Sequence, residues 1–81
     1  MEKTIYSREY AFVLRLLRAA REKAGMTQVE LAEKLGLTQS FVSKIERGDR
    51  RLDIVQLRTV CKILGVPLVK FVEQLERELD R

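Results

Sequence analysis

The four glycines of this 81-residue chain constrain its fold most strongly, because each of them ends a segment with helical periodicity. Four such segments end at Gly25, Gly36, Gly48 and Gly65, and a fifth follows the one proline, Pro67. Thr27 with Glu30, and Asp53 with Gln56, have the spacing of a capping box. Thr38 is the expected N-cap of the third segment, and Pro67 suits the first turn of the fifth. No segment shows the alternation of a strand, so the sequence predicts an all-α fold of five short helices.

Apolar residues at steps of three and four along each segment would form a common core. On the fourth helix we expect the inward-facing residues to be Ile54, Leu57, Val60, Cys61 and Leu64. A small buried apolar residue is the preferred interpretation of Cys61, and a redox-sensing thiol is the alternative. Because a chain of this size has room for one core only, we expect a single compact domain over residues 1–81.

The basic side chains are unevenly distributed along the chain. Residues 1–52 hold eleven of the sixteen Lys and Arg and seven of the twelve Asp and Glu, so the whole net charge of +4 lies there. A local excess of positive charge favours a polyanionic partner such as nucleic acid. The alternative is that an excess of four is ordinary for a soluble domain.

The residue types that the sequence lacks exclude several functions. There is no histidine and only one cysteine, which leaves too few ligands for a zinc site and no base for Cys/His or Ser/His catalysis. No apolar run approaches the ~20 residues of a membrane span. We therefore expect a cytoplasmic protein that is not an enzyme, with no membrane association, no cofactor and no small-molecule ligand.

The second and third helices have the residue spacing of a helix-turn-helix. Ala32 is small where the next helix would cross it, and Gly36 stands where the turn requires a positive φ. Val42 and Ile45 follow six and nine residues after that glycine and would hold the third helix against the second. A generic corner between two helices of a bundle is the alternative interpretation of this spacing.

The stretch MTQVELAEKLGLTQSFVSKIERG, residues 26–48, resembles the helix-turn-helix of the lambda repressor/Cro-like family, also called the XRE family. The resemblance extends over roughly residues 9–75 and includes helices before and after the motif, which itself spans about residues 27–47. It implies a compact five-helix lambda repressor-like domain that binds double-stranded DNA. It further implies a homodimer on a palindromic operator, with the third helix, Gln39–Arg47, in the major groove. A transcriptional repressor is the expected function.

The same resemblance implies roles for individual residues. Gln39, Ser40 and Lys44 match base-reading positions, and Gln28 matches a glutamine that contacts phosphate at a helix N-terminus. The expected DNA contacts are Gln28, Thr38, Gln39, Ser40, Ser43, Lys44, Arg47, Arg50 and Arg51. Arg21 and Glu46 match a partly buried ion pair that fixes the third helix against the first.

The fifth helix, about residues 67–80, is the expected dimerisation element. Its apolar stripe would place Leu68, Phe71, Val72 and Leu75 in the interface between two copies. The alternative is that this stripe only completes the core of one chain. A different class of function also stays open, an antitoxin or another protein-interaction module on the same fold.

Overall fold

The computed structural model describes residues 7–80, and over these residues the chain folds into five α-helices joined by short turns. The five helices that the periodicity predicts are confirmed, and the second, third and fourth begin directly after the predicted caps Thr27, Thr38 and Asp53. The helices are α1 (Arg8–Lys23), α2 (Gln28–Leu35), α3 (Gln39–Arg47), α4 (Ile54–Leu64) and α5 (Leu68–Leu79).

Side-chain caps fix where four of these helices begin. The hydroxyls of Ser7 and Thr38 accept hydrogen bonds from backbone N–H groups three residues later, at 3.1 Å each. Thr27 and Asp53 form complete capping boxes, in which the side chain of the residue three positions on also accepts from the cap's own N–H. Each box satisfies donors that would otherwise lack a partner in the first turn, so local sequence suffices to start these helices. Pro67 lies one residue before α5 rather than within its first turn, and α5 has no side-chain cap.

The turn between α2 and α3 depends on the left-handed backbone of Gly36. Its φ is 72°, and the N–H of Leu37 donates to the carbonyl of Ala32 at 2.9 Å, which is the hydrogen bond of a Schellman motif. A Cβ atom added at Gly36 would meet no atom within 4 Å. Glycine is therefore required by the backbone conformation and not by a lack of space. The turn is short, so α3 leaves α2 at a fixed angle.

All five helices contribute to one core. α1 packs against α3 and α5, α2 packs against α3 and α4, and α4 packs against α5. The buried apolar residues are Leu17, Leu31, Ala32, Val42, Ile45, Val60, Cys61, Leu64 and Phe71. None of the helices between residues 7 and 80 is long and apolar enough to cross a membrane.

Two expectations about buried residues need correction. Ile54 was expected to face inwards, but it is 61% exposed, because it stands at the first position of α4, where the helix has not yet reached the core; in this turn Leu57 is the residue that packs against it. The next residue, Val55, is 69% exposed for the same reason. Phe71 was expected in an interface between chains, but it is 3% exposed and belongs to the core of one chain.

Candidate nucleic-acid interface

α3 presents two chemically different faces. Val42 and Ile45 are buried against the rest of the fold. The opposite side, which we call the α3 face, carries short and long polar side chains. It consists of Gln39, Ser40, Ser43, Lys44 and Arg47, all exposed except the half-buried Ser43. The helix is therefore held by its apolar side while its polar side lies at the surface.

A buried ion pair attaches the end of α3 to α1. The Arg21 guanidinium donates to both carboxylate oxygens of Glu46, from Nε at 2.6 Å and from Nη2 at 3.1 Å. Its Nη1 donates to the carbonyl oxygen of Met26 at 2.7 Å. The two side chains are only 9% and 4% exposed. The hydrogen bond with Glu46 is the main cause that raises the pKa of Arg21 above its ordinary value, although burial opposes it. The structure thus brings together the two residues that the resemblance pairs.

A chain of hydrogen bonds runs from this ion pair to the α3 face. The Gln28 amide nitrogen, in the first turn of α2, donates to Oε1 of Glu46 at 3.0 Å. The Gln28 amide oxygen accepts from Nε2 of Gln39 at 2.7 Å. The first residue of α3 is therefore oriented by contacts that lead back to a buried charge pair. The contact with Gln28 uses one N–H of the Gln39 amide and leaves its oxygen and its second N–H able to form other hydrogen bonds.

The Arg47 side chain has two hydrogen-bond partners close to it in the chain. Its Nε donates to Oδ2 of Asp49 at 3.0 Å, and its Nη1 donates to the hydroxyl of Ser43 at 2.9 Å. Two of the expected DNA contacts, Ser43 and Arg47, are thus hydrogen-bonded to each other. Sequence reasoning did not single out Asp49, and the only available signal was an acidic residue two positions after a basic one.

Aromatic rings hold the two arginines of the turn that follows α3. The guanidinium of Arg50 lies 4.5 Å from the ring centroid of Phe41, and that of Arg51 lies 4.4 Å from the ring centroid of Tyr10. The backbone of the turn is fixed as well, because the N–H groups of residues 49 and 50 both donate to the carbonyl of Lys44, at 2.9 and 3.2 Å. A cation over a ring face is held in place by the electrostatic attraction of the ring.

The remaining candidate residues have structural roles in the chain. Thr38 caps α3, so its hydroxyl oxygen already accepts from the N–H of Phe41. Cys61 is 1% exposed, and burial raises the pKa of its thiol.

Among residues 7–80, no group of three or more cysteine and acidic side chains is placed to hold a metal ion.

A short α2–α3 corner with a buried inner side and a polar outer side is the architecture of a helix-turn-helix protein. A helix-turn-helix family model matches residues 17–71, and the chain belongs to this family, of the XRE type, whose members are DNA-binding transcriptional regulators. The resemblance found in the sequence is thereby confirmed.

Solved structures share both the fold and the sequence pattern. An XRE-family like protein from Pseudomonas syringae pv. tomato is 43% identical, with a TM-score of 0.85 over 94% of this chain and 93% of that one. A point mutant of the restriction-modification controller protein C.Esp1396I is 37% identical, with a TM-score of 0.81 over 93% of this chain and 95% of its own. Both identities are well above the level at which similarity indicates the fold alone.

Curated relatives are named as regulators. An uncharacterized HTH-type transcriptional regulator from Sinorhizobium medicae is 37% identical over 57 residues, which is 70% of this chain. The chain spans 41% of the length of that relative. The control protein C.MunI from a Mycoplasma species is 28% identical over 64 residues, 79% of this chain and 86% of its own length.

Proposed function

We propose that the protein is a sequence-specific transcriptional repressor that reads the major groove of double-stranded DNA with α3 and acts as a homodimer. The observation that carries the proposal is the α3 face, in which polar side chains stand on a helix whose other side is locked into the core. In this proposal the whole of residues 1–81 forms one DNA-binding domain, with the helix-turn-helix at about 27–47.

Base reading is assigned to three side chains of the α3 face. The Gln39 amide has a free acceptor and a free donor, which is the pair that adenine requires at N6 and N7. Lys44 is exposed and can donate to O6 and N7 of guanine. Ser40 is short and can reach only a base edge that comes close to the helix. Each good base contact contributes roughly 1–3 kcal/mol of discrimination.

Phosphate binding is assigned to the turn after α3 and to the start of α2. Arg50 and Arg51 lie directly after α3, held over aromatic rings, and phosphate contacts of this kind position a protein on the duplex. Gln28 lies at the N-terminus of α2, where the helix dipole favours an anion. The side chain of Gln28 is already hydrogen-bonded to Gln39 and Glu46. A phosphate contact at Gln28 would therefore come from its backbone N–H.

Homodimer formation is assigned to the exposed side of α5. Val69 is 67% and Val72 is 38% exposed, while Leu68 and Leu75 are half-buried beside them. Phe71 lies beneath this face and supports it from the core. Two copies on half-sites about 34 Å apart would match the repeat of the double helix and double the number of contacts.

Similarity to proteins named as controllers supports regulation as the outcome of binding. The restriction-modification controller protein covers the chain nearly end to end, and so does the Pseudomonas syringae protein. The similarity to the control protein C.MunI favours repression as the form of that regulation.

Enrichment of bound duplexes from a random library, followed by binding measurements on two variants, tests this function. Gln39→Ala should relax the preference at one base pair of the selected site, at about 1–3 kcal/mol. Arg50→Ala should weaken binding to selected and random duplexes alike and flatten the salt dependence. An equal loss on both duplexes for Gln39→Ala would remove base reading from α3. No enrichment of any sequence by the wild-type protein would contradict the proposed function itself.

A further inference from the structure

We propose that the two copies of the dimer pack their α5 helices antiparallel, and that Arg58 and Lys62 on α4 of each copy bind Glu76 of the other copy. The inference rests on the proposed homodimer. It adds a second helix, an orientation and a charge pairing to the interface. The partner that this surface fits is a second copy of the same chain.

The outer side of α4 carries two positive charges. Arg58 and Lys62 are the only charged residues of this helix, and they lie one helical turn apart. Both are exposed, and within residues 7–80 neither side chain has an ion-pair or hydrogen-bond partner. Together with Leu68 and Val69 they line one groove between α4 and the start of α5. The basic pair therefore stands beside the first turn of the surface that the dimer would cover.

The other end of the same α5 surface is acidic. Glu76 lies one turn after Val72, and these two residues line one surface hollow with Val69. In the described part of the chain the Glu76 carboxylate has no ion-pair partner, whereas that of Glu73 lies 3.5 Å from Nζ of Lys70. Each copy thus has positive charge beside one end of an apolar stripe and negative charge at the other end.

Two-fold symmetry determines which ends meet. When two α5 helices pack antiparallel about an axis at Val72, residue 76 of one copy lies opposite residue 68 of the other, because both are four residues, or about 6 Å, from the axis. Leu68 borders the groove that Arg58 and Lys62 line, so each Glu76 meets the basic pair of the other copy. A parallel arrangement would place the two Glu76 carboxylates against each other and leave both basic pairs unmatched. The charges therefore favour the antiparallel arrangement.

The apolar and the charged parts of this surface have different effects. Val69 and Val72 provide apolar area that either orientation of the helices could bury. An exposed ion pair contributes little by itself, but a two-fold axis forms each contact twice, and the wrong orientation also brings like charges together. Repulsion in the wrong arrangement is an effective source of specificity. The basic pair and Glu76 therefore act mainly on the orientation of the dimer.

Sedimentation equilibrium of the full chain over a range of concentrations tests the inference with a charge swap. Arg58→Glu combined with Lys62→Glu should raise the dissociation constant of the dimer about tenfold, since each repulsion is formed twice. Glu76→Arg alone should have a similar effect. The three changes together should return the constant to within about threefold of the wild type, because the pairing is restored with its signs exchanged.

Lys34→Glu and Glu33→Arg are the matched controls. They make the same kinds of charge reversal at exposed positions of α2, and the dissociation constant should stay unchanged. Net charge cannot produce the expected pattern. The double reversal on α4 lowers the net charge of each copy from +4 to 0, because each residue changes by two, and this by itself would favour association.

The outcomes separate the inference from the proposed homodimer. A triple variant that dimerises no better than the double reversal, beside a dimeric wild type, would overturn the inference and leave the α5 homodimer intact. A double reversal that leaves the dimer unchanged but weakens binding to a random duplex would assign Arg58 and Lys62 to DNA, and this too would overturn it. A wild type that stays monomeric at every concentration, with and without its enriched duplex, would instead reject the homodimer itself.

Discussion

At the scale of the residue, Arg21 and Glu46 connect the stability of the fold to the placement of α3. Their side chains are almost fully removed from water. The Arg21 guanidinium donates hydrogen bonds to the Glu46 carboxylate and to the carbonyl oxygen of Met26. Such a pair contributes little relative to an apolar replacement of both partners. Loss of one partner, however, leaves a buried charge without compensation.

Arg21→Ala and Glu46→Ala should each lower the free energy of unfolding by about 2–4 kcal/mol, because each strands the other charge in the core. Urea denaturation followed by circular dichroism measures this. Glu33→Ala, an exposed charge removal, serves as the reference and should change stability by less than about 0.5 kcal/mol. Single variants that unfold at the same urea concentration as this reference would show that the pair is solvated in solution.

Cys61 should react with alkylating reagents only when the chain unfolds. Burial raises the pKa of its thiol, so the fraction of reactive thiolate at pH 8 is lower than in an unfolded chain, and the surrounding core also blocks access. Mass spectrometry after iodoacetamide treatment at increasing urea should show labelling that follows the unfolding curve. Rapid labelling in native buffer would favour the alternative of a redox-sensing thiol.

At the scale of the element, the helix boundaries could be predicted because the signals are local. A capping box or a left-handed glycine involves residues that are three or four positions apart, so the pattern is visible in the sequence itself. The contacts of the site are different. The Gln28–Gln39 and Arg50–Phe41 contacts span about ten residues and depend on which rotamers the packed helices allow. No periodicity encodes them.

Gly36→Ala should destabilise the protein by about 1–2 kcal/mol, since alanine must adopt the left-handed conformation that glycine adopts freely. The space around the position is open, so the penalty is conformational and no clash adds to it. Gly36→Asn should be milder, because asparagine tolerates this conformation. Thermal unfolding compares the two variants, and a loss with asparagine as large as with alanine would indicate a packing role for this turn.

At the scale of the whole molecule, α5 serves the core with one side and offers apolar surface with the other. The sequence predicts a broad apolar stripe on α5, but it does not indicate which of these residues pack into the core and which stay exposed. The division depends on the rotation of α5 against α1 and α4, which places Phe71 inside and Val69 outside. The exposure of Ile54 was missed for a similar reason, because periodicity describes a whole helix, whereas Ile54 at the first position of α4 lies past the core.

Val72→Glu should convert the proposed dimer to a monomer by placing a charge in the middle of an apolar interface. Sedimentation at micromolar concentration measures the mass, which for one chain is 9.5 kDa. Val55→Glu is the matched control, since Val55 is an exposed valine on α4, away from this surface, and its change should leave the mass unchanged. A wild type that sediments as a monomer, with operator binding unaffected by Val72→Glu, would exclude α5 from the interface.

The hydrogen-bonded chain from the buried ion pair to the α3 face also bears on how a protein of this kind could change its target during evolution. Gln39 is tied through Gln28 to Glu46, so its replacement disturbs two further polar groups as well as the base contact proposed for it. Ser40 and Lys44 stand outside that network and can vary without a penalty to the fold. If α3 reads bases as proposed, we expect target sequences to diverge mainly through changes at Ser40 and Lys44, while Gln39 at the first position of α3 is retained.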